Sequence, residues 1–485
     1  MLPRLVNDSQ HPLAGKTTRT LVVMFVALAV PYATPSLSAL RVVHAPWNPP
    51  DDPEPRDVAP AAVLAPSSTV GEQALPSSEN TPTINNALSN TARSPLPDID
   101  PRVREALRDV PIEDPTGHAL DTFFGRLAHT DRKEEGAVTR ILHYGDSTIA
   151  SDYVSGTVRR RIQARFGDAG HGFILIANPW EWYFHNDVFH ASSGEWNASR
   201  LAGPWAPDGM YGVGGVSFSS YGGGVAWFGT APHGDFGRRV SRFDIYYLEQ
   251  PGGGDIEVGV RGGATERIAT RGDDKVSRVH SVRTTDGEAK LTVRAAGGGP
   301  VRLFGVALER DEPGVVYDAL GSHAAMAVFW QRQNRAHWKD QLALRDPGLV
   351  IFQYGTNESE GAFDGPDYEK ALGGLLDELK EVSGGASVLV AAPLDRAMSK
   401  GGRLITRPII VDLVASQKRA ALAHGVAFWN TFEAMGGEGS MAAWVRARPE
   451  LGGPDMTHPT PMGAEVLGDM MADALIRAYE VWRTR

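Results

Sequence analysis

Cysteine is absent from this 485-residue chain. That excludes disulfides, a cysteine nucleophile and thiolate-bound metal, although it leaves the compartment open. Positive charge is scarce as well: 48 Lys and Arg stand against 58 Asp and Glu, a net charge of −10. Phosphate backbones select a basic footprint, so nucleic acid is not an expected partner. No Gly-x-Ser-x-Gly occurs, which rules out the nucleophile elbow of α/β-hydrolases. No His-Glu-x-x-His occurs, and "HNDVFH" (residues 185–190) has no obvious third ligand. "AGKTT" (residues 14–18) lacks the upstream glycine of a phosphate-binding loop. No metal and no cofactor is therefore expected.

Apolar runs are short, and the one near the N-terminus bears on location. Arg4, Lys16 and Arg19 precede the ten apolar residues Leu21 to Val30, and Ser36, Ser38 and Ala39 come after them. A basic segment, a short apolar core and small residues at its end describe a secretory signal. Extended to Leu40, the same stretch reads as an uncleaved anchor, a reading that Pro31 and Pro35 weaken. On both readings residues 1–40 export the rest of the chain to the periplasm or cell envelope, with a membrane tether if the anchor is retained. Residues 31–100 hold 13 of the 33 prolines, interspersed with Ser, Asn and Asp. Such composition cannot offset its ordering entropy by burial, so 41–100 reads as a linker.

From residue 101 the pattern is α/β. "TRILHYG" reads as a buried strand, and Val154, Val158, Ile162 and Phe166 form one apolar helix face after it. Arg159, Arg160, Arg161 and Arg165 fall largely off that stripe and read as a solvated face. "PGLVIFQYG", "ASVLVAAP" and "GVAFWNTF" suit a parallel sheet buried on both faces. Val466, Leu467, Met470, Met471, Ala474, Leu475 and Ala478 mark a closing helix with Pro461 in its first turn. Between these parts the period changes to two: Phe243, Ile245 and Tyr247 alternate, as do Ile256, Val258 and Val260, and Leu291 and Val293. Turn signals such as "QPGGGD" and "AAGGGP" separate the strands. The predicted organisation is an α/β domain in two parts, 101–195 and 311–485, interrupted by an all-β sandwich over 196–310. In the insert, Trp196, Trp205, Tyr211, Tyr221 and Trp227 suit the sandwich core or its seam better than a sugar-stacking surface.

"HYGDST" places Ser147 directly after the first strand, where serine is also an ordinary helix cap. Serine hydrolysis needs, besides the serine, a base, a group to orient it and donors for the oxyanion. An Asp three residues before a His can reach the imidazole from a tight turn. Four such pairs occur: Asp8/His11, Asp168/His171, Asp187/His190 and Asp455/His458. Only Asp455/His458 comes after the last strand and precedes the closing helix, at the sheet edge where active sites collect. "QYGTNES" sets Asn357 after another buried strand, positioned to aim its amide at an oxyanion. "YDALGSHAA" offers Gly321 after a further strand.

Taken together and in this order, these blocks resemble the SGNH (GDSL-type) hydrolase superfamily. The resemblance implies a flavodoxin-like three-layer α/β/α fold. It further implies Ser147 as nucleophile, His458 as general base and Asp455 as its orienter. The oxyanion donors would be the Ser147 N–H, Gly321 and Asn357. Two departures stand out: Glu358 succeeds Asn357 where the family has Asp, and the family's Gly-x-x-Gly reads "GSHA", leaving Gly321 or Ala324 as donor. With the β-rich insert, residues 101–485 further resemble peptidoglycan O-acetylesterases of Gram-negative bacteria, whose insert is carbohydrate-binding-module-like. The expected activity is an extracytoplasmic serine esterase that removes O-acetyl groups from peptidoglycan or another acetylated glycan through an acetyl-serine. An O-acetyltransferase with the same triad and a non-catalytic wall-binding protein are the alternatives.

Overall fold

The computed structural model describes residues 98–485. The expected export segment, nearly all of the expected linker and the Asp8/His11 pair lie outside the described residues. Among those described, no helix is long and apolar enough to cross a membrane.

Five apolar segments form a parallel sheet: β1 (Val138–Gly145), β2 (Gly314–Gly321), β3 (Leu349–Gln353), β4 (Ser387–Ala391) and β5 (Ala427–Trp429). Their order is β2-β1-β3-β4-β5. Every residue of β2 to β5 is buried, which is why these runs lack polar alternation. The helices of eleven residues or more, with the four-residue one that opens at Ser147, are α1 (Asp121–Asp131), α2 (Ser147–Ala150), α3 (Tyr153–Phe166), α4 (Arg335–Arg345), α5 (Gly365–Val382), α6 (Pro408–Ala423) and α7 (Pro461–Trp482). Alternate strand residues face opposite layers. Ile141, Tyr317 and Ile351 pack on Phe124 of α1, Ile162 of α3 and Leu475 of α7. Leu142, Val350 and Val390 face Leu376 of α5 and Ile410 of α6. The flavodoxin-like three-layer arrangement read from the sequence is the observed one.

The helix faces obey their spacing. Val154, Val158, Ile162 and Phe166 are buried along α3. Thr460 caps α7, its hydroxyl accepting from the Gly463 N–H at 3.2 Å, and Pro461 takes the first position, where no N–H is needed. The α3 arginines depart from expectation most at Arg159, while Arg160 and Arg161 are half-buried in ion pairs with Asp187 and Asp473. Arg159 is buried, held by Asp152 in a bidentate pair at 2.9 and 3.1 Å, so it is not part of a solvated face. The ion pair replaces the hydration that burial removes.

Two antiparallel sheets make up the β-rich part. One contains Asn197–Arg200, Val216–Ser220, Val240–Glu249, Val276–Gly287 and Val301–Glu309; the other contains Val188–Ser193, Val225–Thr230, Asp255–Val260, Thr265–Ala269 and Lys290–Gly297. Gly172–Leu175 joins the first sheet by pairing with Val301–Glu309. The sheets therefore begin at Gly172, before the expected boundary at 196, because strands lacking period-two alternation take part. The two parts share one core. Leu142, Tyr144 and Phe352 of the α/β sheet cluster with Phe173, Tyr246 and Phe304. At the same seam, Arg345 binds Asp318 (2.6 and 2.8 Å) and also Glu309, all three fully buried. Of the insert aromatics, Tyr211 is buried as expected and Trp196 is partly packed on the core, whereas Trp205 and Tyr221 are 62% and 76% exposed.

Candidate active site

Ser147 opens α2, immediately beyond the end of β1. The turn is tight: a Cβ on Gly145 would lie 2.4 Å from Ile149 Cγ1, so only glycine lets the helix start so close to the strand. Asp146 caps the helix, with Oδ1 accepting from the Thr148 N–H at 3.0 Å. Its other oxygen accepts from the Thr356 N–H at 3.2 Å and so ties the serine turn to the loop after β3. In this strand order the connections of β1 and β3 leave the sheet in opposite directions, which opens the crevice used by ligands in such folds.

His458 reaches the serine from the loop before α7. Its Nε2 stands 2.7 Å from Ser147 Oγ, and its Nδ1 stands 2.6 Å from Asp455 Oδ2. Asp455 Oδ1 accepts from the N–H groups of Thr457 and His458, each at 3.0 Å, which fixes the carboxylate against the ring. Partial burial pushes the Asp455 carboxyl up, but the His458 ring and these two N–H donors outweigh it and hold it at about 2. The hydrogen bond that the His458 Nδ1–H donates to Asp455 raises His458 above its ordinary value, against the opposing effect of burial. The other described Asp-x-x-His pairs do not meet in this way. His171 faces His185, Asp187 pairs with Arg160, and His190 approaches the Ile176 carbonyl.

The expected oxyanion donors sort differently. Asn357 lies after β3 and donates one amide hydrogen to the Ala325 carbonyl at 2.7 Å, leaving the second uncommitted. Gly321 is buried as the last residue of β2, opposite Gly145. The Ser322 N–H goes to the Gly145 carbonyl at 2.9 Å, and since successive strand N–H groups alternate, the Gly321 N–H turns away from β1. Its glycine identity has another cause: a Cβ there would lie 2.0 Å from the Ala150 nitrogen of α2. The structure thus removes Gly321 from the site. Ala324 sits at the exposed tip of the next turn with φ +59°, a left-handed conformation that glycine adopts more readily.

Asp146 and two further residues hold the loops in place. Arg396 is buried and donates to the Thr356 carbonyl (2.9 Å), Ser359 Oγ (2.6 Å) and Thr457 Oγ1 (3.1 Å), joining the Asn357 loop to the His458 loop. Glu358 accepts from the Ala327 N–H at 2.8 Å, while its second oxygen is buried without a partner. Burial, assisted by the charge of Asp146, pushes the Glu358 carboxyl up to about 7 despite that N–H. Of these, the capping role of Asp146 was readable from its position before a helix, whereas no local signal marks Arg396 or the Glu358 contact.

Residues 284–466 match the GDSL-like lipase/acylhydrolase family. Ser147 lies outside that span, and it is the fold that returns it to His458. A solved structure of a peptidoglycan O-acetylesterase overlays with TM-score 0.64 at 22% identity, covering 77% of this chain and 99% of that one. A family two carbohydrate esterase from Cellvibrio japonicus covers 61% of this chain and all of its own at 12% identity, with TM-score 0.27. No curated protein matches the chain in sequence. The chain therefore carries, over residues 284–466, a GDSL-like lipase/acylhydrolase domain, set on an SGNH-type α/β fold with an inserted β domain.

Proposed function

We propose that this protein is an exported O-acetylesterase that deacetylates a wall glycan, peptidoglycan first among them, through an acetyl-Ser147 intermediate. The observation that carries the reading is the continuous relay from Ser147 Oγ through His458 to Asp455. His458 Nε2 takes the serine proton as Oγ attacks the acetyl carbonyl, and Asp455 supports the imidazolium that forms. The sugar oxygen then leaves with that proton, and water releases acetate by the same steps in reverse. The first N–H of α2, the free amide hydrogen of Asn357 and the Ala324 N–H serve as oxyanion donors. The basic and apolar segment before Val30 supports export, and the overlay on a peptidoglycan O-acetylesterase supports the substrate class.

Purified protein given O-acetylated peptidoglycan and a chito-oligosaccharide acceptor should release free acetate, and Ser147→Ala should release none while remaining folded by circular dichroism. Asn357→Ala should lower kcat about a hundredfold with little change in KM, because its amide acts as charge develops. Acetylated acceptor in place of acetate would overturn hydrolysis in favour of transfer. Activity retained by Ser147→Ala would overturn the serine mechanism.

A further inference from the structure

The loop between Gly172–Leu175 and Val188–Ser193 reads "NPWEWYFHND" and carries a cluster of rings that the relay does not use. Trp182 is 59% exposed, a large exposure for tryptophan. Its ring lies 5.7 Å from that of His323, and Trp180 lies 6.5 Å from the same histidine. His323 immediately precedes Ala324 in the turn after β2, so the rings border the turn that offers the Ala324 N–H to the site.

Arg200 continues this ledge, its guanidinium 6.0 Å from the Trp180 ring. In this chain most buried or half-buried arginines of the described part are paired with carboxylates, including Arg140, Arg159, Arg242, Arg310 and Arg345. Arg200 is half-buried yet has no carboxylate within pairing distance among the described residues; it spends only Nε, on the Gly203 carbonyl at 2.7 Å. Its terminal nitrogens keep the planar donor pair that suits a carboxylate. A cation desolvated beside aromatic rings without a counter-ion is a poor structural element and a good anion receptor.

We infer that Trp182, His323, Trp180 and Arg200 form a sugar subsite beside the relay, in which a pyranose ring stacks on Trp182 and a carboxylate on that glycan binds Arg200. The inference rests on the esterase reading for the identity of the neighbouring reaction and assigns the specificity of the same site. An aromatic face takes the apolar face of a sugar, and the guanidinium selects a glycan whose rings carry acid groups over a neutral one.

Binding can be measured in the Ser147→Ala background, which leaves the ester intact, by tryptophan fluorescence. The probes are an O-acetylated N-acetylglucosamine–N-acetylmuramic acid disaccharide, the same disaccharide with its carboxyl amidated, and an O-acetylated mannuronate oligomer. The carboxylate disaccharide should bind at least tenfold tighter than its amide. Adding Arg200→Gln should abolish that preference, and adding Trp182→Ala should weaken both forms about tenfold. Comparable binding of the mannuronate oligomer would assign the carboxylate to the ring itself, and its exclusion to the lactyl side chain. Equal affinity for acid and amide, an Arg200→Gln loss common to both, or full affinity in Trp182→Ala would each overturn the subsite. Failure of the unmutated enzyme to release acetate would instead overturn the esterase reading, and it registers in a separate assay.

Discussion

Among single residues, Asp455 and His458 show how a common spacing becomes a catalytic pair. Four Asp-x-x-His matches occur, and only this one closes among the described residues, because its loop turns through Met456 at φ +59° and delivers two N–H groups to the same carboxylate oxygen. A base must be neutral to take a proton, and Asp455 raises the imidazolium pKa. The acid limb of kcat/KM should therefore fall at an apparent pKa above 6.5, with activity rising as pH increases through it. Asp455→Asn removes the charge that stabilises the protonated ring, so the limb should move to lower pH. The plateau should drop by about a thousandfold or more, since the tautomer is no longer held. A pH–rate profile of both proteins checks this, and an unmoved limb would assign the titration to another group.

Loops and turns, one scale up, decide the geometry of the site. The Asn357 loop is hydrogen-bonded to the serine turn through Asp146, to the turn after β2 through Ala325 and Glu358, and to the His458 loop through Arg396. Glu358 makes this network pH-sensitive. In the unfolded chain its carboxyl titrates near 4.5, and in the folded protein near 7. Below the first value both states are protonated, so there is no difference between them. Between the two, the unfolded chain releases a proton that the folded chain keeps, and stability falls as pH rises. Above the second the loss is complete, at most about 3 kcal/mol. Glu358→Gln keeps the acceptor for Ala327 and removes the charge, so its melting temperature should gain on the parent as pH climbs from 4.5 to 7. Thermal unfolding at a series of pH values measures the difference, and a constant gap would show that Glu358 is ionised throughout.

In the whole molecule, the β-rich part is not a detachable accessory. Phe173, Tyr246 and Phe304 complete the core that Leu142, Tyr144 and Phe352 begin, and the Arg345 guanidinium needs both Glu309 and Asp318. Removing 196–310 and joining 195 to 311 would take away Glu309 and leave Gly172–Leu175 without the strand it pairs with. Arg345 would keep one carboxylate of two, and the apolar face uncovered by the deletion would cost about 25 cal/mol per Å² against a net stability of only about 5–15 kcal/mol. The truncated protein should be insoluble or lack a cooperative thermal transition. A soluble, cooperatively melting truncation would show that the α/β part folds by itself.

Much of the fold was legible because its cues are local. The five buried runs, the α3 and α7 stripes and the glycine-punctuated alternation each depend on residues a few positions apart, and periodicity records such neighbours directly. Ser147, Asn357, Asp455 and His458 were legible as motifs for the same reason. What only the tertiary structure decided is where distant segments meet. The approach of α2 to Gly321 turned a candidate donor into a packing glycine, and Asp152 drew Arg159 out of solvent. Gly172–Leu175 joined a sheet whose partner strand begins more than a hundred residues later. Arg396 and Arg200 carry no mark in their own neighbourhoods, because one acquires its role from two loops that fold against it and the other from a carboxylate that does not. A sequence shows each side chain's chemistry, but pairing energies depend on separation in space, and chain folding alone sets that.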